Sequence, residues 1–217
     1  MRKEEFTIGF GSIGRLMTAP AWLSQRERLA LYTQTYCLAP RFALELGRAR
    51  GGSTLIMSGA LDDVGLGGKI LSLDPEPEQT AADTATMMQH NAQLNAGFFP
   101  RDMPAMFDGR PTAGLFEFCF YDADHTRAGI REHLPILKRY MAPGAFIMCH
   151  DGYNAEQAVG MSEGGQKAGL IDCGMQTRCA NDSSAPGEVY GGMRLFKVPG
   201  ELAPNSDAQS ARLLAAQ

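Results

Sequence analysis

Two short stretches carry most of the ionisable chemistry of this chain: Asp122-Ala123-Asp124-His125 and His150-Asp151. Carboxylates gathered at one place repel one another unless a proton or a cation relieves them. A hard divalent ion would do so, taking oxygen ligands and leaving positions open for a substrate oxygen. A histidine beside a carboxylate has a second use, as a base that takes a proton from a reacting hydroxyl near neutral pH. Structural uses compete with these. Asp124 can cap a helix starting near Thr126, and His150 can close a strand end through hydrogen bonds.

Both stretches follow apolar runs. Leu115 to Tyr121 and Ala145 to Cys149 read as buried strands, and Pro143-Gly144 reads as the turn into the second. Between them Ile130, Leu134, Leu137 and Met141 recur at helical spacing, one coherent buried face, with His133 on the polar side. Strand, helix, strand predicts two adjacent parallel strands whose carboxyl ends deliver the ionisable groups to one edge. Ligands of doubly wound sheets bind at that edge.

A glycine cluster predicts the other half of such a site. Residues 42–54 read FALELGRARGGST: an apolar strand Phe42 to Leu46, glycines at 47, 51 and 52, then Ser53 placed to cap a helix. A second strand, Lys69 to Leu73, ends on Asp74. Strand, glycine turn, helix, strand and acid form the unit that holds an adenosine-containing cofactor, with Asp74 accepting from ribose hydroxyls. A more obvious motif, IGFGSIGR with Gly9, Gly11 and Gly14, has the G-x-G-x-x-G spacing of an NAD(P) site. Its preceding strand is meagre, Pro20 interrupts the helix that should follow, and no acid stands about 20 residues on. An NAD(P)-dependent oxidoreductase using those glycines is therefore the alternative reading.

With Glu45 two residues before the first glycine, ELGRARGGST resembles the first motif of class I S-adenosylmethionine-dependent methyltransferases, in the form found in small O-methyltransferases. The resemblance implies an α/β, doubly wound, Rossmann-like sheet of seven strands, the last antiparallel, in three α/β/α layers. It implies S-adenosylmethionine as cofactor, bound through Glu45, Gly47, Gly51, Ser53, Asp74 and Asp122. DADH with HDGY is similar to the paired motifs of the cation-dependent caffeoyl-CoA and macrolide-sugar O-methyltransferases. Carried over by position, Asp122, His150 and Asp151 would hold Mg²⁺ or Mn²⁺, and Asp124 or His125 would be the catalytic base. His150 departs from that pattern, where a carboxylate is more usual, and it favours Mn²⁺, Fe²⁺ or no metal over Mg²⁺. The implied activity is methylation of a hydroxyl on a small molecule. A relative that binds the cofactor or a nucleotide without transferring methyl is a further alternative, and a homodimer is expected by resemblance alone.

The remaining features bound these readings. The 217 residues carry a net charge of −4, which gives no pull toward nucleic acid or anionic lipid. No apolar run has the length of a membrane helix, and the amino terminus lacks a signal-peptide core. Five cysteines without a C-x-x-C pair fit a reduced, cytoplasmic protein, with Cys119 and Cys149 as buried thiols. The domain is expected over residues 39–200, after an N-terminal segment (1–38) in which Trp22, Leu23, Leu29 and Tyr32 could pack, and before a tail (201–217). Residues 80–97 are helical in composition, Asp102 or Asp108 could serve an adenine edge, and Met193 to Val198 reads as the final strand.

Overall fold

A computed structural model describes residues 16–78, 91–107, 113–177 and 191–201. The described helices are α1 (Gln25–Leu38), α2 (Gly52–Val64), α3 (Arg127–Lys138) and α4 (Ala155–Ala168). The strands are β1 (Phe42–Leu46), β2 (Lys69–Asp74), β3 (Ala92–Ala96), β4 (Phe116–Tyr121), β5 (Met141–Cys149), β6 (Ile171–Met175) and β7 (Arg194–Lys197). They form one seven-stranded sheet in the order β3-β2-β1-β4-β5-β7-β6. Neighbours among β1 to β5 pair parallel, and β7 lies antiparallel between β5 and β6. This is the doubly wound, Rossmann-like fold that the sequence predicts.

The alternation of strand side chains builds the three layers. Leu44, Leu46, Cys119, Tyr121, Ile147 and Cys149 face one core, which Ile130, Leu134 and Leu137 of α3 and Met161 of α4 complete. Ala43, Phe118, Phe120 and Met148 face the other, packed on Ile56, Met57 and Leu61 of α2 and on Leu31 of α1. Leu16, Ala19 and Leu23 join this second core, so the chain before β1 is part of the globule. Trp22 and Leu29 do not join it; both stand exposed. The thiols of Cys119 and Cys149 are buried between the layers.

Several expectations are corrected. Helix α3 ends at Lys138, and Met141 opens β5 instead of closing the helical face. Pro143-Gly144 lies within that nine-residue strand, near the register shift between Phe116 and Phe118 of β4. A glycine-containing irregularity at the start of the strand absorbs what reads as a turn. Residues 92–96 form β3, not helix: pairing with Ile70 to Asp74 of β2 overrides the helical composition of AQLNA. Residues 80–90 of the segment expected to be helical, His90 among them, lie outside the described residues, as do Asp108 and the glycines at 9, 11 and 14. His133 is no surface histidine; its Nδ1 lies 2.8 Å from the Tyr121 hydroxyl and its ring packs edge-on against Phe99.

Helices α3 and α4 meet through glycine. A Cβ on Gly160 would stand 2.7 Å from the carbonyl oxygen of Arg127, and one on Gly164 would stand 3.0 Å from that of Ile130. Gly160→Val should force this crossing apart and cost about 1–3 kcal/mol, the usual range for overpacking. Urea unfolding against wild type measures it.

Candidate active site

The carboxyl ends of five strands are tied to one another by backbone hydrogen bonds. Gly97 N–H donates to Asp74 O (3.0 Å) and Gly47 N–H to Leu73 O (2.9 Å). Asp122 N–H donates to Leu46 O (2.8 Å) and His150 N–H to Tyr121 O (3.0 Å). The residue just past each strand is thus held beside its neighbour, and Asp74, Gly47, Asp122 and His150 stand in a row along one edge.

Gly47 makes the row possible. It has φ +87°, and a Cβ there would lie 2.0 Å from the carbonyl oxygen of Asp122. The chain then turns through Ala49 (φ 44°) to Gly51 (φ 81°), which is the N-cap of α2 and leaves the first helical amides without a side-chain cap. Asp74 closes the turn from below: Oδ2 accepts from the amides of Arg48 (2.6 Å) and Ala49 (2.8 Å), and Oδ1 from Glu76 N–H (2.7 Å).

Glu45 and Ser53 are placed differently from expectation. Glu45 is fully buried, beneath the turn rather than at its ligand-facing side. Its Oε1 accepts from Ser53 Oγ (2.6 Å), and its Oε2 accepts from Thr54 Oγ1 and Ser72 Oγ (both 2.5 Å). Burial raises its pKa despite those three donors. Ser53 spends its hydroxyl on Glu45 and does not cap the helix, which begins one residue earlier at Gly52. Arg48, also buried, reaches across to Ser72 Oγ (2.9 Å). A buried network of hydroxyls and charges thus fastens β1, β2 and α2 together under the glycine turn.

On the other half of the edge two histidines take up the carboxylates. His150 is almost wholly buried, with Nδ1 3.1 Å from Asp122 Oδ1 and 3.5 Å from Asp151 Oδ1. Its Nε2 lies 3.5 Å from Oε1 of Glu27, a residue of α1 that is itself 1 % exposed. Burial opposes the charged ring, but the charges of Asp122 and Asp151 and the hydrogen bonds of Asp122 and Glu27 outweigh it, so the pKa rises well above its usual value. His150 thus sits among three carboxylates, with an acid facing each ring nitrogen. The cluster differs from the expected trio: His125, not His150, joins Asp122 and Asp151, with Nδ1 3.2 Å from Asp151 Oδ2 and one ligand atom from each of the three residues within 4.8 Å of the others. The hydrogen bond that His125 donates to Asp151, helped by the charges of Asp122 and Asp151, raises the His125 pKa against the effect of burial.

The other two acids here differ in kind. Asp151, in the left-handed region at φ 60°, also accepts from Gly191 N–H (2.8 Å) and Gln157 Nε2 (3.3 Å). Desolvation pushes its pKa up, but His125, His150 and these donors hold the carboxyl well below the usual range. Asp124 accepts from the amide (2.8 Å) and hydroxyl (2.7 Å) of Thr126, whose own Oγ1 caps α3 at Gly129 N–H. That is a turn-and-cap role. Asp102, further along, is engaged by Arg101 and by Phe98 N–H.

A family model described as a methyltransferase domain matches residues 44–152, from β1 to just past His150-Asp151. The chain belongs to that family. No curated protein matches. Among solved structures it is similar to the O-methyltransferase TomG from Streptomyces achromogenes, involved in tomaymycin synthesis and solved in complex with SAM. The two are 18 % identical with a TM-score of 0.58, covering 92 % of each chain. An O-methyltransferase from Bacillus cereus in complex with SAH gives 14 % identity and a TM-score of 0.58, covering 87 % of each chain. At these identities the likeness is one of fold. No helix among the described residues is long and apolar enough to cross a membrane.

Two measurements test this anatomy. Gly47→Ala combines backbone strain with a clash against Asp122 and should cost about 3 kcal/mol or more, read by denaturant unfolding. The second concerns acid. Glu27 is held down from 4.5 to about 2: burial opposes its charge, but His150 and the amides of Gly192 and Ser24 favour it more strongly. A depressed carboxyl stabilises the fold above its unfolded pKa and loses that contribution as pH falls through its folded pKa. Thermal melts between pH 6 and 2 should therefore fall more steeply for wild type than for Glu27→Gln, with the difference concentrated below pH 4.5.

Proposed function

We propose that this methyltransferase uses S-adenosylmethionine to methylate a hydroxyl of a small molecule. The carrying observation is the single row that sets the glycine turn and Asp74 beside Asp122, His125 and Asp151. One half has the glycine turn and strand-end acid suited to an adenosine ligand; the other has proton-accepting groups at the same edge. Asp74, already the organiser of the turn, has remaining lone pairs for the ribose hydroxyls. The cofactors in TomG and in the Bacillus enzyme support the same choice.

In this reading Asp151 holds His125 by Nδ1, leaving Nε2 to take the proton of the acceptor hydroxyl; S-adenosylmethionine, held by the glycine turn and Asp74, would supply the methyl from its sulfonium and leave as S-adenosylhomocysteine. The sheet edge aligns the two reactants, which removes much of the entropic barrier. Asp122 borders both ligands. The same trio fits a divalent ion by donor chemistry: two carboxylates and an imidazole suit Mn²⁺ better than Mg²⁺. Asp122, His125 and Asp151 would hold such an ion, and it would lower the acceptor hydroxyl's pKa. The His125–Asp151 hydrogen bond and the positive His150 between Asp122 and Asp151 favour the base pair over the ion. The acceptor then needs only to be a small hydroxylated compound.

Calorimetry tests the cofactor. S-adenosylhomocysteine should bind wild type and lose about tenfold or more in affinity in Asp74→Ala, a loss of about 1.4 kcal/mol or more. The affinity should be the same with EDTA as with Mn²⁺. NADH binding instead, indifferent to Asp74, would return the oxidoreductase reading.

A further inference from the structure

Glu27 lies nearly a hundred residues before Asp122 in the chain, yet it closes the row of charged groups from behind. It is the N3 residue of α1 in a capping box: Oε2 accepts from Ser24 N–H (2.7 Å), while Ser24 Oγ accepts from Glu27 N–H. A capping-box glutamate ordinarily spends its carboxylate on the helix end at the protein surface. Here the side chain is buried, and its second oxygen, Oε1, turns inward to accept from the amide of Gly192 and to face His150 Nε2. That ring nitrogen is buried and makes no hydrogen bond among the described residues; it faces Glu27 Oε1 as an ion-pair contact at 3.5 Å.

From Oε1 two lines run to the reacting edge. One passes through the His150 ring to Asp122 Oδ1 and Asp151 Oδ1. The other passes through the Gly191-Gly192 backbone, since Gly191 N–H donates to Asp151 Oδ1 and Gly192 N–H to Glu27. The same two glycines accept from the amides of Tyr153 and Gly152. Gly192 sits at φ +87° with its Cα against the Tyr153 ring, so only glycine fits there. The orientation of Asp122 and Asp151 is therefore fixed from the far side by one carboxylate that touches neither.

We propose that Glu27 is a positioning residue of the active site. Through His150 and Gly192 it sets the carboxylates of Asp122 and Asp151, and it makes helix α1 a working part of the edge rather than only a cover for the sheet. This rests on the reading of Asp122 and Asp151 as groups that meet cofactor and acceptor. Residues acting through one hydrogen-bonded network couple measurably even when only one of them touches the ligand.

The test uses the full chain with ¹⁵N-labelled histidine and backbone, as wild type and as Glu27→Gln and Glu27→Ala. The His150 ring signals are identified by their loss in His150→Gln. Glu27→Gln keeps size and an acceptor oxygen, so it remains informative if Glu27→Ala fails to fold; a dispersed amide spectrum certifies the fold. The expected result in Glu27→Gln is a shift of the His150 ring signals and of the Gly191 amide. With it should come a loss of S-adenosylhomocysteine affinity of about threefold or more, the scale of coupling within one network. Unmoved His150 and Gly191 signals would overturn the proposal, and so would moved signals with unchanged affinity, which would make Glu27 a purely structural residue. A wild type that binds no S-adenosylhomocysteine would instead overturn the reading of the site, and the His150 and Gly191 signals would then alone decide whether Glu27 sets the edge.

Discussion

The contact on which the rest of this site depends is the passage of Gly47 under the carbonyl of Asp122. Strand β1 ends where β4 ends, and the two chains leave the sheet within van der Waals distance because Gly47 has no side chain. With the Asp122 amide on Leu46 O and the Gly47 amide on Leu73 O, three strand ends are locked in one register. Moving any of them would move the glycine turn relative to the acids. A doubly wound sheet supplies an edge; this crossing turns that edge into a site with fixed spacing.

Buried carboxylates fall into two kinds according to what neutralises them. Glu45 is met by three hydroxyls and by the nearby Arg48, and burial still raises its pKa. It fastens secondary structure together and is sealed from the edge. Glu27, Asp122 and Asp151 are met by histidine, and the pKa values of Glu27 and Asp151 are pulled down. Hydroxyls can satisfy a carboxylate's lone pairs without supplying charge, whereas an imidazolium supplies both. Three acids share one neighbourhood around His150. The second histidine, His125, is more than half exposed and remains available for chemistry.

How much of this was legible in the sequence follows from which forces are local. The β1 bounds, the β2 strand ending on Asp74 and the Ile130, Leu134 and Leu137 face of α3 come from periodicity and appear where the pattern puts them, while Met141, the last residue of that pattern, opens β5. Strand β3 was not legible, because AQLNA owes its conformation to β2, about twenty residues away. Ser53 looked like a cap because a serine after glycines usually is one; the competing acceptor, Glu45, lies across a strand-to-helix turn that sequence spacing does not resolve. His133 looked exposed from its place on the helix, and its partner Tyr121 is on the strand beneath.

His125 and His150 show the limit most clearly. Both follow an apolar strand, both stand one residue from an aspartate, and nothing local separates a base from a structural cation. What separates them is depth and a third carboxylate. His150 opens β5's exit directly over the sheet, where Glu27 arrives from α1. His125 is carried four residues beyond the end of β4, out over the edge, where Asp151 meets it at Nδ1 with Asp122 nearby. A charge that is surrounded becomes scaffolding, and one that is met from a single side keeps a free nitrogen. The difference between the two histidines is thus made by Glu27, a residue with no visible chemistry in its own sequence neighbourhood beyond capping a helix.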